Sequence, residues 1–210
     1  MLVKRFLLLS GLVAAFVAGP LAHAQIGAYA AFTADRLSGL QSSPLTTPGV
    51  AYNSSVNPTG GTFGLFYDFK DVGPVRLGLD ARFVHVTDTR GGQANSIGSG
   101  TRIYSTLGGV RASFRTRIKL LVPYVQASAG LARSDYGLAF AYDTAGRLAP
   151  KTVSNLEYHV YAGADYNVLP LVSWRVLEVG YGGINPFGTN SHNYPVANIS
   201  TGIVFRFRGN

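Results

Sequence analysis

Between Thr62 and Thr87 two segments carry an alternation of apolar and polar residues. Phe63, Leu65, Tyr67 and Phe69 share one parity, and Gly64, Asp68 and Lys70 the other. After an Asp71-Val72-Gly73-Pro74 break, Val75, Leu77, Leu79, Ala81 and Phe83 share a face against Arg76, Gly78, Asp80 and Arg82. Successive strand residues point to opposite faces, so the segment predicts a hairpin with one apolar and one charged face. A soluble sandwich would bury the apolar face and wet the charged one. A membrane barrel would put the apolar face in lipid and the charges in its lumen.

The same period of two recurs along the chain. Strands are predicted at 26–36, 61–70, 75–87, 101–114, 121–136, 153–168, 173–184 and from 197 to the chain end. The segment 153–168 alternates most clearly, with Leu156, Tyr158, Val160, Ala162, Ala164 and Tyr166 against Asn155, Glu157, His159, Asp165 and Asn167. Segments 37–59, 88–100, 137–151 and 185–196 are long and rich in Gly, Ser, Thr, Asn and Pro. The breaks around Gly73, Arg115-Thr116-Arg117 and Leu169-Pro170-Leu171 are short. Connections therefore alternate long and short, as in up-and-down outer-membrane barrels, which have short periplasmic turns, long outer loops and an even strand number. The strands have room for the 9 to 11 tilted residues of a bilayer crossing. The predicted fold is all-β, an eight-stranded antiparallel up-and-down transmembrane β-barrel.

On this reading the inward parity carries both signs of charge. Asp68, Lys70, Arg76, Asp80, Arg82, Arg111, Glu157, Asp165, Glu178 and Arg206 form a paired network in the lumen, because an unpaired buried charge is costly. Arg82 would face Asp80, Asp68 or Glu157. The outward parity carries aromatics near the strand ends. Phe69, Phe83, Tyr104, Phe114, Tyr158, Tyr166, Tyr181, Phe205 and Phe207 are the expected girdle at the two membrane interfaces.

Composition narrows the setting. Lys4 and Arg5, the apolar run 6–18 and Ala22-His23-Ala24 have the form of a cleaved export signal, so residues 1–24 are expected to leave and 25–210 to form the barrel domain. Eighteen Lys and Arg oppose ten Asp and Glu. The basic residues are dispersed, which gives no nucleic-acid footprint. The absence of cysteine excludes a disulfide scaffold and a thiolate metal site.

The signal, alternation, loop rhythm and closing aromatic strand 199–207 together resemble the small eight-stranded outer-membrane β-barrel domain family, the group that includes the OmpA transmembrane domain and OmpX. The resemblance implies an outer-membrane location, lipid around the wall and delivery by the barrel-assembly machinery. That machinery reads a final aromatic in the family; here Phe207 is followed by Arg208, Gly209 and Asn210.

Chemistry is sparse. A lipid-modifying enzyme on the outer rim would draw on His85 with Thr87, and a rim protease on His192 with Asp88 or Asp143, but neither set completes a triad. His85, His159 and His192 lie on different segments, and no Gly pair opens a phosphate loop, so no metal or cofactor is expected. The chain is expected to be non-enzymatic, with a structural or surface-interaction role. Its lumen is plugged by paired charges, and loops 37–59 and 137–151, carrying Tyr52 and Tyr142, are the surface for an extracellular ligand. The alternatives are an outer-leaflet enzyme and a soluble exported lipocalin-like barrel.

Overall fold

The computed structural model describes residues 25–39, 55–88, 102–118, 120–135, 140–142, 148–150, 153–186 and 193–208. The predicted signal 1–24, most of each long loop, and Tyr52, Asp143 and His192 lie outside these residues.

Eight long strands account for nearly all of the described chain. They are β1 (Gln25–Ser38), β2 (Thr59–Val72), β3 (Val75–Thr87), β4 (Arg102–Phe114), β5 (Leu121–Asp135), β6 (Val153–Asn167), β7 (Val172–Pro186) and β8 (Tyr194–Arg208). Each pairs antiparallel with the next, and β8 returns to β1 along thirteen partners from Gln25↔Arg208 to Leu37↔Val196. The sheet is therefore closed, and no long strand presents a bare edge. Ser55–Val56 adds a two-residue strand to the outer end of β1. Phe140–Tyr142 pairs with Leu148–Pro150 inside the connection expected to be structureless. The fourth long connection is shorter than predicted, because β7 runs to Pro186 and β8 starts at Tyr194.

Register sets the barrel's shape. Following cross-strand partners from Gly27 through Phe66, Asp80, Gly109, Ser128, His159, Gly182 and Val196 leads back to β1 at Leu37, ten residues further along. Eight strands with that stagger tilt by about 40° from the axis, given ordinary strand spacings. A barrel of this size encloses only enough space for side chains.

Two bulges break the alternation. Between Asp68 and Lys70 the β2–β3 register slips at Phe69, so Lys70 pairs with outward Leu77 and is exposed. Its expected place in the lumen is thus corrected: one extra residue turns it to the outer face. Between Arg175 and Glu178 the register of β7 slips against both neighbours. Val176 and Leu177 both lie outside there, while Arg175 and Glu178 both point inward and are buried.

The outer wall is apolar. Phe32, Phe63, Leu65, Val110, Val125, Leu131, Val160, Val179, Ile199 and Ile203 are all exposed on it. Among the outward aromatics, Phe69, Phe114, Tyr166, Phe205 and Phe207 stand toward the short-turn end of their strands. Phe83, Tyr104, Tyr158 and Tyr181 stand toward the long-loop end. Trp174, the single tryptophan, is half exposed near the short turns. Two aromatic bands bracketing an aliphatic belt are what a bilayer requires of a spanning wall.

Candidate functional site in the barrel lumen

The interior is built from glycine and aromatic pairs. Tyr29, Phe66, Tyr124 and Tyr161 point inward, each directly opposite a glycine on the next strand: Gly64, Gly27, Gly163 and Gly180. A Cβ added to any of these four glycines would come within 2.0 to 2.7 Å of the facing ring. The missing side chains let four rings lie flat against the wall with their faces toward the axis. Gly64→Val should thus push Tyr29 off its wall and lower stability by about 1–3 kcal/mol, the usual cost of overpacking. Urea unfolding in lipid vesicles measures it.

Guanidinium groups occupy the faces of those rings. Arg111 stacks 3.8 Å from the Tyr124 centroid and 4.4 Å from that of Phe66. Arg82 lies 3.9 Å from Tyr161, and Arg175 4.2 Å from Tyr29. Arg206 sits over Phe66 at 5.2 Å. A desolvated arginine on a ring contributes about 2 kcal/mol, so these planes orient the cations as well as pack them.

The carboxylates lie between the guanidiniums. Glu178 receives Arg82 in bidentate fashion at 3.0 and 3.2 Å, the Tyr124 hydroxyl at 2.6 Å, Ser200 at 3.1 Å and Arg175 at 3.4 Å. Asp165 accepts from Arg111 at 2.9 Å, Arg175 at 3.1 Å and Arg206 at 2.6 Å. Asp80 accepts from Gln126 at 2.6 Å, Tyr29 at 3.0 Å and Arg82 at 3.2 Å. Of the partners the sequence suggested for Arg82, Asp80 is one, while Asp68 and Glu157 are not; the second partner is Glu178. Within this network Arg82, Arg111, Arg175 and Arg206 face Asp68, Asp80, Asp165 and Glu178, four charges of each sign. Asp68 is the loosest member. Its carboxylate oxygens are buried without a hydrogen bond, and Arg76 stands 4.0 Å away.

Of the ten predicted lumen charges, Asp68, Asp80, Arg82, Arg111, Asp165, Glu178 and Arg206 come together in this network. Glu157 is also buried, but in a separate layer nearer the long loops. There it meets the His159 ring at 2.8 Å, beside an Asp35–Asn198 hydrogen bond and a Thr33–Thr62 hydroxyl pair at 2.6 Å. Arg76 sits at the short-turn mouth, hydrogen-bonded to Asp71 at 2.9 Å and Gln25 at 2.6 Å. Lys70 is outside, as described above.

Sequence reasoning missed two parts of the lumen. Arg175 is one, concealed by the bulge that follows it. The other is an apolar cap on the inward faces at the long-loop end, where Leu37, Val84, Val86, Ile103, Ile184 and Val196 are among the buried members of one cluster. A side chain near a strand end reads as outward or inward only if the parity is carried across from the strand's middle. Val84 and Val86, alternating with Phe83 and His85, look like one apolar run.

The residues weighed for chemistry do not assemble. His85 stacks on Tyr104 with centroids 4.5 Å apart and planes at 7°, on the outer wall. The Thr87 hydroxyl has no hydrogen-bond partner among the described residues, so it is not coupled to His85. Asp88 receives the Asn57 backbone amide at 3.3 Å. Among the described residues no three His, Cys, Asp or Glu side chains are grouped to hold a metal.

A closed sheet with an apolar outer belt, aromatic bands and an interior filled by charges of both signs defines a small transmembrane β-barrel, and the fold is that of the eight-stranded outer-membrane barrels. Among solved structures it is similar to Neisserial surface protein A, with a TM-score of 0.52 and 18% identity over 88% of this chain and 97% of that one. It is equally similar to Ail, the attachment invasion locus protein of Yersinia pestis, solved in complex with the heparin analogue sucrose octasulfate: TM-score 0.52, 16% identity, 88% and 99% covered. No protein-family model and no curated protein sequence matches the chain.

Proposed function

We propose that the protein is an integral outer-membrane barrel without enzymatic activity. In this reading its lumen is a plug and its long loops form a surface for interaction outside the cell. The observation that carries the reading is the filled interior, in which four guanidiniums, four carboxylates and four aromatic rings occupy the cross-section below an apolar cap. Such an interior leaves no room for a conducting path. The loops on a rigid wall are then where recognition resides. Ail, with the same fold, was solved with a sulfated ligand, and that supports surface recognition as a use for a barrel of this size.

The chain lacks cysteine, so single thiols report its topology. Ser42→Cys in the first long connection should react with an impermeant maleimide on intact cells. Arg117→Cys in a short turn should react only after the outer membrane is opened. In planar bilayers the purified barrel should give no stepwise conductance. Cells making the full chain should adhere or aggregate more than cells whose chain lacks residues 40–54. Equal adhesion would remove that loop as a recognition surface, and steady channel openings would refute the plug.

A further inference from the structure

At the short-turn end the barrel mouth holds a cavity of about 450 Å³. Its described lining contains three arginines, Arg76, Arg115 and Arg206, and no carboxylate. Gln25, Thr116 and Asn167 add polar groups. The guanidiniums are exposed to different degrees, with the Arg115 side chain 56% accessible, Arg76 26% and Arg206 8%. Behind them, Asp71 is shared by Arg76 and Arg115, and Asp165 holds Arg206. At the mouth itself Arg76 and Arg115 share the one carboxylate of Asp71, and Lys70 and Arg117 are also exposed at this end.

Apart from Ser113, the rest of the lining is apolar, with Phe114, Leu121, Leu169 and Pro170 among it. Leu120 and Leu171, next to it on the turns, are about half exposed. Phe114 belongs to the aromatic band at this end, which places the cavity at headgroup depth. A site with an arginine-lined floor and an apolar flank beside the membrane matches a molecule with an anionic head and a greasy body. We infer that this mouth binds the phosphate of an acidic phospholipid of the inner, periplasmic leaflet. Arginine suits that phosphate because its planar fork can donate two parallel hydrogen bonds, and an acidic lipid is favoured over a zwitterionic one because no headgroup amine neutralises its charge.

The test uses the full mature chain refolded in an uncharged maltoside detergent. Native mass spectrometry with equal amounts of phosphatidylglycerol and phosphatidylcholine should retain the acidic lipid several-fold more. Arg76→Gln combined with Arg115→Gln should bring that retention down to the level of phosphatidylcholine while the heat-dependent gel shift is kept. Arg115→Gln alone, at the most exposed of the three side chains, should give an intermediate loss even if the double variant refolds poorly. Equal retention of both lipids, or undiminished retention by Arg115→Gln, would overturn the inference. Displacement of the lipid by millimolar inorganic phosphate would also overturn it, in favour of a site for soluble anions.

Discussion

Glu178→Leu should lower the unfolding free energy of the barrel by about 3–5 kcal/mol, the range expected when one partner of a buried ion pair is removed. Glu178 accepts from Arg82, Arg175, Tyr124 and Ser200, and its carboxylate is almost wholly buried. Without it, Arg82 keeps only Asp80 as an ion-pair partner, Arg175 keeps only Asp165, and the network carries one excess positive charge in a medium that solvates it poorly. Arg82→Leu should be costly for the mirror-image reason, since Glu178 would lose its bidentate partner. The double variant Arg82→Leu with Glu178→Leu should lose clearly less than the sum of the two, because neither charge is then left without the other. Urea unfolding in lipid vesicles reads all three, with Trp174 as the fluorescent reporter on the outer wall. Additive losses, or an unchanged midpoint in Glu178→Leu, would mean that the network does not hold the barrel together.

Val110→Arg should destabilise the barrel by about 2–4 kcal/mol, the cost of a cation near the middle of a lipid-facing wall. Val110 is 61% exposed and lies on β4 between the two aromatic bands, with Tyr104 toward one and Phe114 toward the other. An arginine there cannot reach either interface without bending its stem along the wall. Arg102, exposed at the long-loop end of the same strand, is a cation the wall already carries where water is within reach. If Val110→Arg unfolded at the wild-type midpoint, the wall at that height would be facing water.

The fold was legible in the sequence because a membrane wall leaves a strict signature. In β6 every second residue from Leu156 to Tyr166 is apolar against Glu157, His159, Asp165 and Asn167, and in β3 the charges Arg76, Asp80 and Arg82 all share one parity. What stayed hidden follows from the same rule. Period-two reasoning holds only while the ladder is regular, and the bulge at Phe69 reversed Lys70 just as the bulge after Arg175 placed two residues of opposite parity side by side in the lumen. Partner choice was legible only in part, for a different reason. Asp80 lies two residues from Arg82 on the same face, but that Glu178 is the other partner depends on the stagger that brings β7 across the barrel from β3, and no local pattern encodes it. The glycines opposite Tyr29, Phe66, Tyr124 and Tyr161 were visible as residues. Their role appears only once the register sets each one against its ring. The loops could be read as polar and long, and their sequence names no ligand.

The most direct test of the central claim, a closed barrel that lipid surrounds and paired charges fill, is the gel mobility of the detergent-refolded mature chain with and without boiling. Far-ultraviolet circular dichroism on the same sample supplies the strand content. A compact band that shifts on heating, together with a β spectrum that forms only with detergent or lipid, is the predicted result. A chain that folds in buffer alone and runs identically before and after boiling would contradict it.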